Sequence, residues 1–341
     1  MSLRACFFST APIEQISREQ YSLTDIRILK ELGFGVVVAN CFSSIPWNCD
    51  LYFSWWASGS IMPMIIAKHV NKPNIVVAGG NEAMFYRDSV NGIPFGYLNM
   101  PFYKRVATRM TLRFSTIVIV VSKFMVPDVT RLAGRPVIVV PNCVDTDRFV
   151  PDKSKLRRYV TTCFRLDEGP VALKRGESFL RAAAQVLNKR PNEVFVIIGF
   201  RGSAYRRLAA LVEELKIRDS VIFTGAIHNN EVRNWLVRSK CYVQISDTET
   251  FGVAVAEAMS TGTPVVVSRM GALPELVGDL GTYVDHNSVA SIAFGLMQVI
   301  NMPSLSRETL GEKLRKSILT RYRFEMRRDA IAAIIRQLIS L

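Results

Sequence analysis

The chain alternates short β-branched runs with longer amphipathic stretches over most of its length, and no other feature narrows its fold as much. Alternation of this kind builds parallel sheets whose strands are joined by crossover helices. In the first half, 5–9, 35–40, 50–55, 74–78, 116–122 and 136–140 read as strands. Helices are expected over 25–32, closed by Gly33, and over 61–70. A second series follows Phe149, with strands at 159–164, 193–199, 220–225, 241–245, 264–268 and 282–285. Its helices fall at 177–187, 204–215, 230–237 and 253–260. The polar, turn-rich stretch 141–152 separates the two series, and two helices, 307–319 and 324–339, close the chain. The expectation is an α/β fold of two doubly wound domains, 1–148 and 149–323, with the helix 324–339 packing back on the first. Open sheets of this type take ligands at the carboxyl ends of their strands, and a pair of them adds an interdomain cleft.

Composition limits what such a chain does. Nearly half of the 341 residues are hydrophobic, which excludes disorder. A formal net charge of +14 favours anionic partners: nucleotides, nucleic acid or an acidic membrane surface. No nucleic-acid recognition module is visible, so no nucleic-acid partner is expected. The six cysteines include no C-x-x-C pair and the three histidines are scattered, so no metal site is expected and the thiols read as free, in a reducing cytoplasm. A short strand-like run follows Arg4 where a signal peptide would carry a longer apolar core. The nearly uncharged stretch 32–67 is broken by Gly33, Gly35, Asn40, Pro46, Asn48, Gly59 and Pro63, and reads as strand, loop, strand and buried helix.

The densest chemistry lies in 246–277, SDTETFGVAVAEAMSTGTPVVVSRMGALPELV. A strand ends in a polar turn holding Glu249; Phe251 and Gly252 then lead into a helix. The free N–H groups at its start, around Gly252 and Val253, favour an anion or an electron-rich oxygen. Glu257 falls about one turn inside that helix. Taken singly, Glu249 reads equally as a solvated loop residue and Glu257 as the partner of a surface arginine. The combined string resembles the E-x7-E signature of retaining glycosyltransferases of the GT4 family, which have the GT-B fold. Gly271 to Val277 resembles that family's G-G-x-x-E-x-V loop. Val120-Val121-Ser122 and Pro141-Asn142-Cys143-Val144-Asp145 resemble its passage between domains, with Cys143 in place of a glycine.

The resemblance implies two Rossmann-like domains facing a cleft, no cofactor, and a UDP- or GDP-sugar as donor substrate. It implies that Glu257 takes the ribose hydroxyls, and that Glu249 with the Phe251–Gly252 backbone holds the sugar. Arg165, with Lys174 or Arg175, would stabilise the leaving pyrophosphate; Lys174 and Arg175 stand one residue apart at the family's lysine position. Transfer would proceed with retention, without a metal, to a lipid-linked, saccharide or protein acceptor. The other reading is an inactive sugar-nucleotide-binding or partner subunit on the same fold. The first hundred residues fit the family least well: Ser9-Thr10-Ala11-Pro12 replaces a glycine-rich loop, and Gly79-Gly80-Asn81 stands where relatives carry a histidine that touches the sugar. These three residues are the acceptor-side candidates, and Trp55, Trp56, Phe85, Tyr86, Phe95 and Tyr97 either line that side or pack. Finally, 101–114 carries Lys104, Arg105, Arg109 and Arg113 and no acid, with Phe102, Val106, Met110 and Phe114 at four-residue spacing. This reads either as a membrane-surface helix, placing the protein at the inner membrane face, or as a core-packed helix with a basic outer side.

Overall fold

The computed structural model describes residues 3–17, 19–85, 88–90 and 93–339; Tyr86 lies outside them. The chain divides into two compact units. One holds Met1–Ser89, Pro94–Cys143 and Phe324–Leu341; the other holds Val144–Arg323 with Val90–Ile93.

The first unit is built on six parallel strands: β1 (Arg4–Phe8), β2 (Gly35–Ala39), β3 (Leu51–Trp55), β4 (Asn74–Ala78), β5 (Ile117–Val120) and β6 (Ile138–Val139), in the spatial order β2-β1-β3-β4-β5-β6. Every residue of β3 and β4 is buried, as parallel strands covered on both faces require. The helix after β1 runs Gln20–Glu31, five residues longer at its start than expected. Its sequence hides this because Asp25, which resembles a start signal, is fully buried inside the helix. Asp25 accepts hydrogen bonds from Trp55 Nε1 at 2.8 Å and from Arg327 Nε and Nη2 at 2.7 Å each. Arg327 belongs to the last helix, Phe324–Leu338, and its Nη1 also reaches the carbonyls of Val140 and Pro141.

The second unit carries β7 (Tyr159–Cys163), β8 (Val194–Ile198), β9 (Val221–Gly225), β10 (Ser239–Gln244), β11 (Val265–Ser268) and β12 (Thr282–Val284). All are parallel, in the order β9-β8-β7-β10-β11-β12. The chain winds outward from β7 to β9, then crosses to the other side of β7 to lay down β10. The carboxyl ends of β7 and β10 therefore flank the topological switch point, where open α/β sheets hold ligands. A helix absent from the expectation, Val289–Ile300, packs on this sheet. It is apolar on nearly all sides, so the 3.6-residue period that betrays a surface helix is missing. No single helix among the described residues is long and apolar enough to cross a membrane.

Candidate active site

Two loops at the switch point meet. After β10, Glu249 lies largely buried rather than solvated, its side chain 13 % exposed. Its Oε1 receives Gln244 Nε2 at 2.8 Å, Ser246 Oγ at 3.0 Å and the Lys174 ammonium. Tyr242 orients Gln244 from behind by donating its hydroxyl to the amide oxygen at 2.8 Å. The backbone of Glu249 is held as tightly. Ala272 N–H donates to its carbonyl at 2.7 Å, and Gly271, at φ +60°, lies so close that a Cβ there would overlap the Glu249 main chain. That contact explains the glycine of the GALPELV loop. Oε2 of Glu249 has no partner among the described residues.

The 167–173 insertion after β7 is a short helix, Glu168–Leu173, closed by Lys174. Arg175 then takes a left-handed conformation, φ +52°, to start the helix Gly176–Leu187. This turn sends the two neighbouring cations apart. Lys174 goes to Glu249, while Arg175 is gripped by Asp247, with Nε at 2.9 and 2.8 Å from the two carboxylate oxygens, and its Nη2 reaches Asn287 Oδ1 at 3.0 Å. Burial pulls Lys174 down to about 8, against the Glu249 carboxylate in contact with it, which favours the ammonium.

The helix Val253–Ser260 starts from Gly252 at φ +96°, and no side chain caps it. A Cβ on Gly252 would meet Leu273 and Leu276 at 3.1 and 3.3 Å, so glycine is needed both for the turn and for the packing. Phe251 departs from the expected sugar-holding role in its side chain: it is buried and packs edge-on against Tyr322, ring centroids 5.3 Å apart, leaving only its backbone for a ligand. Glu257 has no ion pair with an arginine. No donor among the described residues reaches its carboxyl, and burial pushes it up to about 8, with Arg148 nearby opposing. Arg165 is not gathered in. It is exposed, pairs with Asp167 at 2.9 Å, and makes no contact with Lys174 or Glu249 among the described residues.

In the first unit, Gly79-Gly80-Asn81 follows β4. A Cβ on Gly79 would strike the Trp55 ring, and one on Gly80 would overlap the Glu82 carboxylate and sit 2.8 Å from Trp56. The glycines thus make room for Glu82, a residue the sequence reasoning passed over. Glu82 Oε1 is buried and has no partner. Burial raises this carboxyl to about 7, against partial relief from the backbone N–H groups of Glu82 and Ala57. The only sequence signal was an acid directly after a wholly apolar strand. Asn81 begins a short turn of 3-10 helix.

Residues 171–317 match the protein family described as Glycosyl transferases group 1. Among curated relatives, the catalogued component of the phosphatidylinositol N-acetylglucosaminyltransferase of Homo sapiens is 30% identical over 174 residues, 50% of this chain and 35% of that protein. The chain thus aligns with about a third of that relative's length. In fold, it resembles sucrose-phosphate synthase from Thermosynechococcus elongatus, with a TM-score of 0.81 at 16% identity over 98% of this chain and 99% of that one. It also resembles HepE from Anabaena, solved in complex with UDP and glucose, with a TM-score of 0.78 at 17% identity, covering 98% and 100%. Each of its two units has the parallel, doubly wound sheet of the GT-B fold, and the chain belongs to the Glycosyl transferases group 1 family.

Proposed function

We propose that this protein transfers a sugar from a nucleoside diphosphate to a hydroxyl group with retention of configuration. The observation that carries the reading is the cluster at the β7/β10 switch point: Glu249 fixed by three donors, Lys174 on it, and the uncapped helix start at Gly252 and Val253. In this reading Glu249 Oε2 accepts the sugar hydroxyls and Lys174 turns its remaining N–H groups to the pyrophosphate. The free Glu257 carboxyl takes the ribose hydroxyls. Arg175, committed to Asp247, shapes the loop; Arg165, exposed, reaches the phosphates once donor is bound. The anomeric carbon–oxygen bond breaks with its electron pair leaving on the diphosphate. The acceptor oxygen attacks from the same face and gives its proton to a leaving phosphate oxygen. Catalysis is then positioning and charge stabilisation. HepE was solved with UDP, which makes UDP the first donor base to try. Glu82 offers its unpartnered oxygen to the acceptor hydroxyl.

A membrane-bound acceptor is part of the same proposal. In the helix Phe102–Phe114 the buried side chains are Thr108, Thr111 and Leu112, whereas the apolar row Phe102, Val106, Met110 and Phe114 is exposed, Phe102 at 73 %. The core-packed alternative would have buried that row. An apolar row flanked by Arg105, Arg109 and Arg113 suits an anionic bilayer. The human relative acts, by its name, on phosphatidylinositol.

The test is binding and turnover with UDP-sugars. UDP is expected to raise the melting temperature in the presence of a chelator, since a ligand that binds only the native state stabilises it. Lys174→Ala is expected to lower transfer by about 100-fold or more while leaving the fold intact. Donor binding without any transfer or hydrolysis would make the protein a sugar-nucleotide-binding subunit, and no binding would overturn the reading.

A further inference from the structure

The second unit contains a cavity of about 550 Å³ between residues 151–157, Gly262 and the helix Ser304–Arg321. It lies at the other end of the sheet from Glu249. Arg157 comes two residues before β7 begins and Gly262 three before β11, so the length of a strand, about 16 Å, separates the cavity from the carboxyl-end loops.

Its wall carries six cationic side chains and three carboxylates, and two of the three carboxylates are already engaged. Glu312 pairs with Lys153 at 3.1 Å, and Asp152 accepts from Ser154 Oγ at 2.6 Å. Lys155, Arg157, Arg307, Arg315 and Lys316 make no ion pair among the described residues. The three guanidinium groups are instead fixed by backbone carbonyls: Arg157 by Ser239 at 2.8 Å and Gly262 at 3.0 Å, Arg315 by Ser260 at 2.8 Å and Phe149 at 2.9 Å, and Arg307 by Met302 at 2.9 Å. Carbonyls orient an arginine without cancelling its charge. Arg307 also keeps a buried Nε–H with no acceptor. Burial pulls Arg157 down to about 10, and the charge of Arg307 pushes it the same way. Keeping like charges together, partly buried and without counter-ions, costs stability that a bound anion restores. Rigid guanidinium forks and mobile ammonium groups together suit the several oxygens of a phosphate. Leu156, 67 % exposed, gives the cavity an apolar lip.

We propose that this cavity binds a phosphate-bearing ligand, as a site separate from the one that handles the sugar nucleotide. The ligand is either a phospholipid headgroup or a free phosphate compound.

The test uses the full chain saturated with UDP, so that the donor site is filled, and titrates sodium pyrophosphate by calorimetry. One pyrophosphate per chain is expected. The double variant Lys155→Ser/Lys316→Ser, whose ammonium groups make no hydrogen bond or ion pair among the described residues, is expected to bind it at least tenfold more weakly with UDP affinity unchanged. Arg307→Gln is expected to weaken it further, with the melting temperature monitored as a control for folding. Sedimentation with phosphatidate vesicles identifies the source. A loss in the double variant, relative to wild type, assigns the site to lipid; equal sedimentation with weakened pyrophosphate binding assigns it to a free phosphate compound. No pyrophosphate binding to the UDP-saturated chain, or binding unchanged in the double variant, overturns the proposal. Failure of UDP itself to bind counts against the donor-site reading and leaves this test to be read from pyrophosphate in the unsaturated double variant.

Discussion

At the scale of single residues, two carboxyls combine burial with the lack of a good partner, and both give pH signatures. Glu257 is raised to about 8 in the empty protein, so at neutral pH it holds its proton. Ribose hydroxyls that donate to it favour the ionised form. UDP binding should therefore release a proton at pH 7, and UDP affinity should rise with pH and level off above about 8. Calorimetry in buffers of different ionisation enthalpy measures that proton, and Glu257→Gln should abolish its release and weaken binding by roughly tenfold, the loss of a charged hydrogen bond. A proton count unchanged in the variant would remove Glu257 from the ribose. Glu82 speaks to folding. Its native value of about 7 lies above the ordinary 4.5, so the native state keeps a proton that the unfolded chain loses. Its contribution is best below about pH 4.5, worsens as the pH rises to about 7, and is constant beyond. Over that window the wild type should lose on the order of 3 kcal/mol relative to Glu82→Gln, from the size of the shift. Urea melts of both proteins at pH 5 and pH 8 measure the difference, and parallel behaviour would show that Glu82 is solvated.

At the scale of elements, most strands and the turn from β10 into the helix Val253–Ser260 were legible, because each strand is a short β-branched run bounded by glycine, proline or polar residues. The Glu249–Glu257 spacing was legible for the same reason, since an eight-residue helix on a glycine start leaves little freedom. What stayed hidden depended on tertiary environment. The helix Val289–Ile300 lacks a polar face, and the Gln20–Glu31 helix buries an aspartate that local rules place at a cap. The competition between Lys174 and Arg175 was decided by a backbone conformation, φ +52° at Arg175, that no spacing rule encodes. The face on which Phe102–Phe114 packs was invisible too, because its buried side is made of threonines, one of them satisfied within the helix by Thr108 Oγ1 donating to the Lys104 carbonyl at 2.8 Å. That inversion leads to an element-scale prediction. The triple change Arg105→Ser, Arg109→Ser, Arg113→Ser should reduce sedimentation with anionic liposomes by ten- to a hundredfold, at about 1 kcal/mol for each cation near the surface. Raising the salt should act the same way on wild type. Equal binding to neutral and anionic vesicles would leave the helix as a scaffold element.

At the scale of the whole molecule, the chain leaves its first unit after Cys143 and returns to it only with the last helix. What that return contributes is concentrated at one place. Arg327 and Asp25, 302 positions apart in sequence, form an ion pair that is almost wholly buried. Asp25 also satisfies the Trp55 indole, and Arg327 also satisfies the carbonyls of Val140 and Pro141 just before the chain departs. Removing one member of a buried pair strands the other charge, which costs about 3–5 kcal/mol. Arg327→Met and Asp25→Leu should each destabilise by that amount, seen as a lower urea midpoint. Changing both together removes both charges, so the double variant should cost clearly less than the sum of the singles. It should not be neutral, because the Trp55 N–H and the two carbonyls then lose their partners inside the core. A chain ending before Phe324 loses the arginine, its hydrogen bonds and the buried faces of Ile331, Ile334 and Ile335 together, and its first unit should fail to fold cooperatively. If the double variant costs as much as the two singles combined, the charges act independently, and the return of the chain is held by apolar packing alone.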